Sequence, residues 1–145
     1  MSTHAATATV TEQHPSKALH VTLWVAQAVL AAAFLAAGGM KTMQSSDALA
    51  AKMAWMSSFP PAAVRAIGVL ELLGGLGLIL PAALRIAPRL TAFAAAGLTA
   101  LMIGAAGTHI VLGQANTMAP SVILGALAAF VAWGRFRAAP IAPRA

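Results

Sequence analysis

Residues 68–81 read GVLELLGGLGLILP, glycine and aliphatic side chains interrupted by one carboxylate, Glu71. The apolar run begins at about Ala62, directly after Pro60-Pro61, and continues to Pro81. At a rise of about 1.5 Å per residue such a run crosses the roughly 30 Å hydrocarbon core of a bilayer. Backbone groups in lipid must be satisfied within the segment, so the run is read as a transmembrane helix. Glu71 is one of three acidic residues in the chain, and burying a charge in a span costs at least about 2–3 kcal/mol. It therefore needs a partner.

The composition agrees with a membrane class. The 145 residues are 60% hydrophobic and 8% charged, too few polar groups to cover a soluble domain of one-domain length. The net charge of +6 does not point to nucleic acid, because the basic residues flank apolar runs instead of clustering on a polar face. The chain has no cysteine, which excludes structural disulfides, thiol relays, cysteine-ligated iron–sulfur clusters and covalently attached c-type haem.

Three further spans are expected, at about 21–40, 90–112 and 117–134, with Pro120 in the first turn of the last. The first is too long for a signal-peptide core and is preceded by a long, weakly charged tail, so it reads as a retained anchor. Short connections after the second and third spans make those helices antiparallel neighbours. The expected fold is all-α: an integral membrane up–down four-helix bundle over residues 20–137, with disordered tails at 1–19 and 138–145. The loop between the first two spans contains Asp47 as a cap, with Leu49, Met53 and Met56 at helical spacing beside Trp55. That pattern predicts a short amphipathic helix in the outer interface or packed as a lid.

Four spans place both termini on one side. Lys17, Arg85, Arg89, Arg135, Arg137 and Arg144 lie there, against Lys41, Lys52 and Arg65 on the other side. The basic excess, with Trp24 and Trp133 as an aromatic belt, predicts cytoplasmic termini.

Helical spacing puts Gly68, Gly74 and Gly75 on the Glu71 face, where small residues allow close packing, so Glu71 is expected to face the bundle interior. Gly38 shares a stripe with Gln27, Phe34 and Lys41, and Gly104 belongs to a small-residue row with Ala96, Ala100 and Thr108. Lys41, Arg65 and His109 all fall in the outer half of the bundle with Glu71 and form its candidate polar cluster. The plainer alternatives are interfacial snorkelling for Lys41 and Arg65, and a single interhelical hydrogen bond for His109. No metal-ligand spacing, serine–histidine–acid order or phosphate loop is present, and the GGLG of the second span fits helix packing better than phosphate binding.

The segments LWVAQAVLAAAFLAAGGMKTM (23–43), SFPPAAVRAIGVLELLGGLGLILP (58–81) and PRLTAFAAAGLTALMIGAAGTHI (88–110), followed by a short span ending AWGRFR (132–137), resemble the DoxX-like membrane proteins. The pattern is carried by Phe34, Gly38 and Lys41, then Gly68, Glu71 and Gly74, then His109. The resemblance implies a small multi-pass protein of the bacterial inner (plasma) membrane. Some relatives look like subunits of quinone-linked oxidation systems or partners of redox-stress complexes, but this chain lacks the cysteines of a thiol-handling member. Two functions follow as expectations. One is a non-catalytic scaffold or accessory subunit, with the lipid bilayer and a membrane protein or a second copy as partners. The alternative is a redox accessory with a quinone-like ring in the outer half, where His109 and Glu71 exchange protons and Lys41 or Arg65 holds an anionic oxygen. No cofactor is evident from the residues themselves.

Overall fold

The computed structural model describes residues 16–144. Five α-helices account for most of them: α1 (Lys17–Met43), α2 (Ser46–Lys52), α3 (Pro61–Leu84), α4 (Arg89–Val111) and α5 (Ala119–Trp133). Among the described residues there is no strand. A 3-10 turn at Ala54–Ser58 follows α2, and a π-turn at Gly134–Ala138 extends α5. Four of these segments, α1, α3, α4 and α5 with its π-turn, are long and apolar enough to cross a membrane.

The four long helices alternate in direction and pack in the ring α1–α3–α4–α5, with α5 returning against α1. The core between them is built from Leu23, Leu30, Phe34, Leu78, Leu98, Met102 and Val131. Facing outward are Val25, Val29, Leu73, Leu80, Phe93, Ile103, Ile110 and Ile123, each about half exposed or more. Such an apolar exterior has lipid as its natural solvent, and the chain is a multi-pass membrane protein.

Several boundaries shift from the sequence reading. Helix α1 starts at Lys17 because Ser16 caps it, its hydroxyl accepting from the Leu19 amide at 3.2 Å. Residues 16–19 of the tail expected over 1–19 thus form the cap and first turn of α1, and residues 1–15 lie outside the described residues. Helix α3 continues through Pro81 to Leu84 and ends on Arg85 in a left-handed conformation (φ 57°). The C-terminal tail is tied down rather than loose: Ala139 is fully buried, and the Arg144 amide donates to the Arg85 carbonyl at 3.0 Å.

The segment between α1 and α3 is a cap on one end of the bundle. Ser45, not Asp47, supplies the N-cap of α2, accepting from the Ala48 amide. The chain then breaks helix geometry at Met53 (φ −140°, ψ 105°), which turns Met53 outward. Leu49 and Met56 are buried with Val64, flanked by Met40, Trp55 and Phe59. The expected amphipathic segment therefore packs on the bundle as a small second core.

Glycines set the closest approach. A Cβ built on Gly38 would stand 2.6 Å from the Gly68 carbonyl oxygen, and one on Gly68 would stand 2.8 Å from the Lys41 Cβ. Helices α1 and α3 thus meet nearly backbone to backbone. Gly75 meets Leu35 of α1, and Gly74 meets Leu98 of α4. Gly104 does not fit its expected packing role: among the described residues nothing lies within 4 Å of its would-be Cβ, and it faces outward. Its small-residue row lies on a face of α4 that the bundle leaves uncovered.

Replacing Gly38 or Gly68 with Ala should overpack the α1–α3 contact and destabilise the detergent-solubilised protein by about 1–3 kcal/mol. Gly104→Ala should leave thermal stability unchanged or slightly raised, since Ala favours helix where no neighbour intervenes. Thermal unfolding of the three variants checks this, and equal melting of Gly38→Ala and the parent would contradict the close contact.

Candidate functional site

The Gly38–Gly68 contact positions the charged residues. Lys41 lies one turn beyond Gly38 on α1, and its Cβ packs over the face left bare by Gly68. Glu71 lies one turn beyond Gly68 on α3, which runs antiparallel to α1, so the lysine stem must lean back along α3 to reach it. It does so. The Lys41 ammonium donates to both carboxylate oxygens, at 2.9 Å (Oε1) and 2.8 Å (Oε2). Lys41 is 5% exposed and Glu71 3%, and theirs is the one ion pair among the described residues. Charge-assisted bonds of this length are among the strongest a side chain makes, and here little water competes.

Of the three partners considered for Glu71, Lys41 alone makes the pair. Arg65 is exposed, on the rim of the cap, where it borders a cavity of about 20 Å³ lined also by Gln44, Leu49, Met56, Phe59 and Val64. Its position suits an interfacial cation. His109 is buried but engaged elsewhere: its Nδ1 lies 3.0 Å from the Thr117 hydroxyl, across the turn joining α4 to α5. The edge of Trp55 lies against its ring, with centroids 6.4 Å apart. The four-residue cluster expected from depth alone thus separates into a closed ion pair, a histidine that fastens the cap, and a surface arginine.

A second polar group forms at the opposite end, where the termini lie. Arg135, expected as a flanking cation, is 5% exposed. The π-turn directs it inward, where its Nε donates to Gln27 Oε1 at 2.6 Å, and Gln27 Nε2 donates to the Leu78 carbonyl at 2.6 Å. Its Nη1 donates to the Ala139 carbonyl at 3.2 Å and approaches His20 Nδ1 at 3.3 Å. Its guanidinium also lies over the Trp24 ring, 5.4 Å from the centroid. The sequence held one signal for this group: Gln27 sits on the packed stripe of α1 in an otherwise apolar run and requires a partner. Among the described residues no group of three or more histidine and acidic side chains could hold a metal ion.

The helix order, the Gly38–Lys41 and Gly68–Glu71 pairings, and the buried histidine closing α4 are now defined. A profile of the DoxX-like family matches residues 25–131, from the first turns of α1 to near the end of α5. The chain belongs to the DoxX-like family. No curated protein and no solved structure gives a match to the chain. The matched region of this DoxX-like protein contains the whole of the ion pair and its cap, whereas Arg135 and His20 fall just outside it.

Removing one member of a buried pair leaves the other charge uncompensated. Glu71→Met or Lys41→Met alone should destabilise the bundle by about 3–5 kcal/mol. The double variant Lys41→Met with Glu71→Met should recover most of that loss, because two apolar side chains can replace a buried pair at little net cost. Melting temperatures of the two single variants and the double variant give the coupling, and strictly additive losses would show that the pair does not form.

Proposed function

We propose that this DoxX-like protein is a non-catalytic scaffold or accessory subunit of a complex in the bacterial plasma membrane, with both termini in the cytoplasm. The observation that carries this reading is the closure of the Lys41–Glu71 pair. Both charges are spent on each other and buried between two helices that glycine brings together. A proton-exchanging carboxylate needs a path to its substrate, and a quinone-like ring needs a pocket of a few hundred Å³ with converging polar groups. The cavity beneath the cap, at about 20 Å³, has room for about one water. A larger groove of about 320 Å³ between α3 and α4 is lined by Leu70, Leu73, Gly74, Ala94, Gly97, Leu98 and Leu101, with no polar side chain.

The exterior of α4 supports the scaffold reading. Gly97, Gly104 and Gly107 lie there with nothing among the described residues within 4 Å of a would-be Cβ. Glycine weakens a helix by about 1 kcal/mol relative to alanine, and internal packing gives no return for it here. In membranes such faces admit a neighbouring helix closely, from another subunit or a second copy. The proposed orientation follows from the basic excess at the end holding the termini.

The test is purification of the tagged protein from its native membranes after mild cross-linking. The scaffold reading predicts a stoichiometric companion that is lost in Gly104→Leu, whose own melting matches the parent, and retained in the Lys41→Met, Glu71→Met double variant. Titration with a short-chain quinone should leave additive absorbance spectra. A saturable difference spectrum abolished by His109→Ala would favour the redox alternative instead. Reporter fusions at Arg137 and within residues 44–58 should report cytoplasm and exterior respectively, and the reverse pattern would overturn the orientation.

A further inference from the structure

The group around Arg135 has more hydrogen-bond donors than acceptors. Of the guanidinium nitrogens, Nε and Nη1 are bonded, but Nη2 is buried with no partner among the described residues. His20 compounds the imbalance. Its Nε2 faces the Trp24 indole N–H at 3.2 Å, and its Nδ1 faces Arg135 Nη1 at 3.3 Å. A neutral imidazole offers one lone pair, so in either tautomer only one of these two contacts has an acceptor, and an imidazolium would accept from neither.

The charge is equally unbalanced. Of the chain's three acidic residues, Asp47 lies on α2 at the other end, Glu71 is paired with Lys41, and Glu12 lies outside the described residues. The termini end contributes Lys17, Arg85, Arg89, Arg137 and Arg144 in addition to Arg135. Thr91, in the first turn of α4, adds a fully buried hydroxyl with no partner among the described residues. That turn belongs to the region packed on the π-turn, where Phe93 and Phe136 meet edge to face.

A buried cation with spare donors is costly unless an acceptor completes it. We infer that Arg135, with His20 and Trp24, forms a binding site for a phosphate oxyanion at the termini end of the bundle. The planar guanidinium suits an anion with two acceptor oxygens, and a π-turn at the end of a span puts it at the depth where lipid phosphates lie. The anion reaches Nη2 when residues 139–144 lift. That strap is held by the Arg144–Arg85 backbone bond, by the Ala139 amide on the Gly134 carbonyl at 2.7 Å, and by the Ala139 carbonyl on Nη1, the last of which a phosphate oxygen would replace. The same chemistry is offered by a phospholipid headgroup and by free phosphate.

Thermal unfolding of the full chain in neutral detergent distinguishes them, with phosphatidylglycerol, phosphatidylcholine, inorganic phosphate or chloride added at matched ionic strength. Saturable stabilisation by phosphatidylglycerol above that by phosphatidylcholine identifies a headgroup, and stabilisation by inorganic phosphate above chloride identifies the free ion. Either response should weaken at least about tenfold in Arg135→Lys, which keeps the charge and loses the fork, and persist in Arg137→Gln, an exposed neighbour. If Arg135→Lys fails to fold, His20→Phe serves, since it leaves the guanidinium but removes one side of the site, and it should also weaken the response. A parent that melts alike in all four additions overturns the site. So does a Glu12→Gln variant that gains a response the parent lacks, since the chain's own carboxylate would then be the missing acceptor.

Discussion

The contact on which the bundle depends is the double hydrogen bond from Lys41 to Glu71, made possible by two glycines one turn away from the charges. Without the bare surfaces of Gly38 and Gly68, α1 and α3 would stand further apart and the lysine root could not lie on α3. Without the lysine, a carboxylate ten residues into α3 would be stranded at roughly 15 Å from the helix start, far from bulk water. Each feature requires the other. The pair also fixes the register of α1 against α3, since a shift of one turn would separate the ammonium from the carboxylate by more than 5 Å. A buried ion pair contributes little net stability compared with an apolar contact, so its retention here fits a role in specifying one arrangement of two otherwise greasy helices.

The two ends of the bundle treat polarity in opposite ways. At the capped end, Lys41 and Glu71 neutralise each other, His109 bonds to Thr117, and a second small core packs under the cap. At the termini end, the buried Arg135 keeps one nitrogen without a partner among the described residues, no described carboxylate bonds to it, and the tail crossing it is held by few bonds. A self-sufficient end and an unbalanced end in one small protein suggest a division between holding the fold together and meeting something outside it.

Much of this was legible in the sequence. The four spans follow from hydropathy and length, and the inward direction of Glu71 follows from the glycines on its face, because in a membrane helix those two signals have few competing explanations. Depth arithmetic could bring Lys41, Arg65 and His109 to the same level as Glu71 but could not say which way each side chain leans. The choice depends on interhelical spacing, which Gly38 and Gly68 set jointly and which neither reveals alone. Gly104 shows the same limit: a small-residue row marks a packing face without saying whether the neighbour is within the chain. Arg135 was the hardest case. An arginine following a tryptophan at the end of a span reads as an interfacial anchor, and only the π-turn, a local change of helix winding, directs it to Gln27.

The central claim, that Lys41 and Glu71 form a direct pair within the membrane, is open to a distance measurement in lipid. Solid-state NMR dipolar recoupling on the bilayer-reconstituted protein, labelled with ¹⁵N at lysine Nζ and ¹³C at glutamate Cδ, reads the separation, and Lys41→Met assigns the signal. The structure predicts strong dephasing for one glutamate, corresponding to a separation under about 4 Å and lost in Lys41→Met. No dephasing within about 6 Å, or dephasing that survives Lys41→Met, would contradict the pair and with it the account of how α1 and α3 are held.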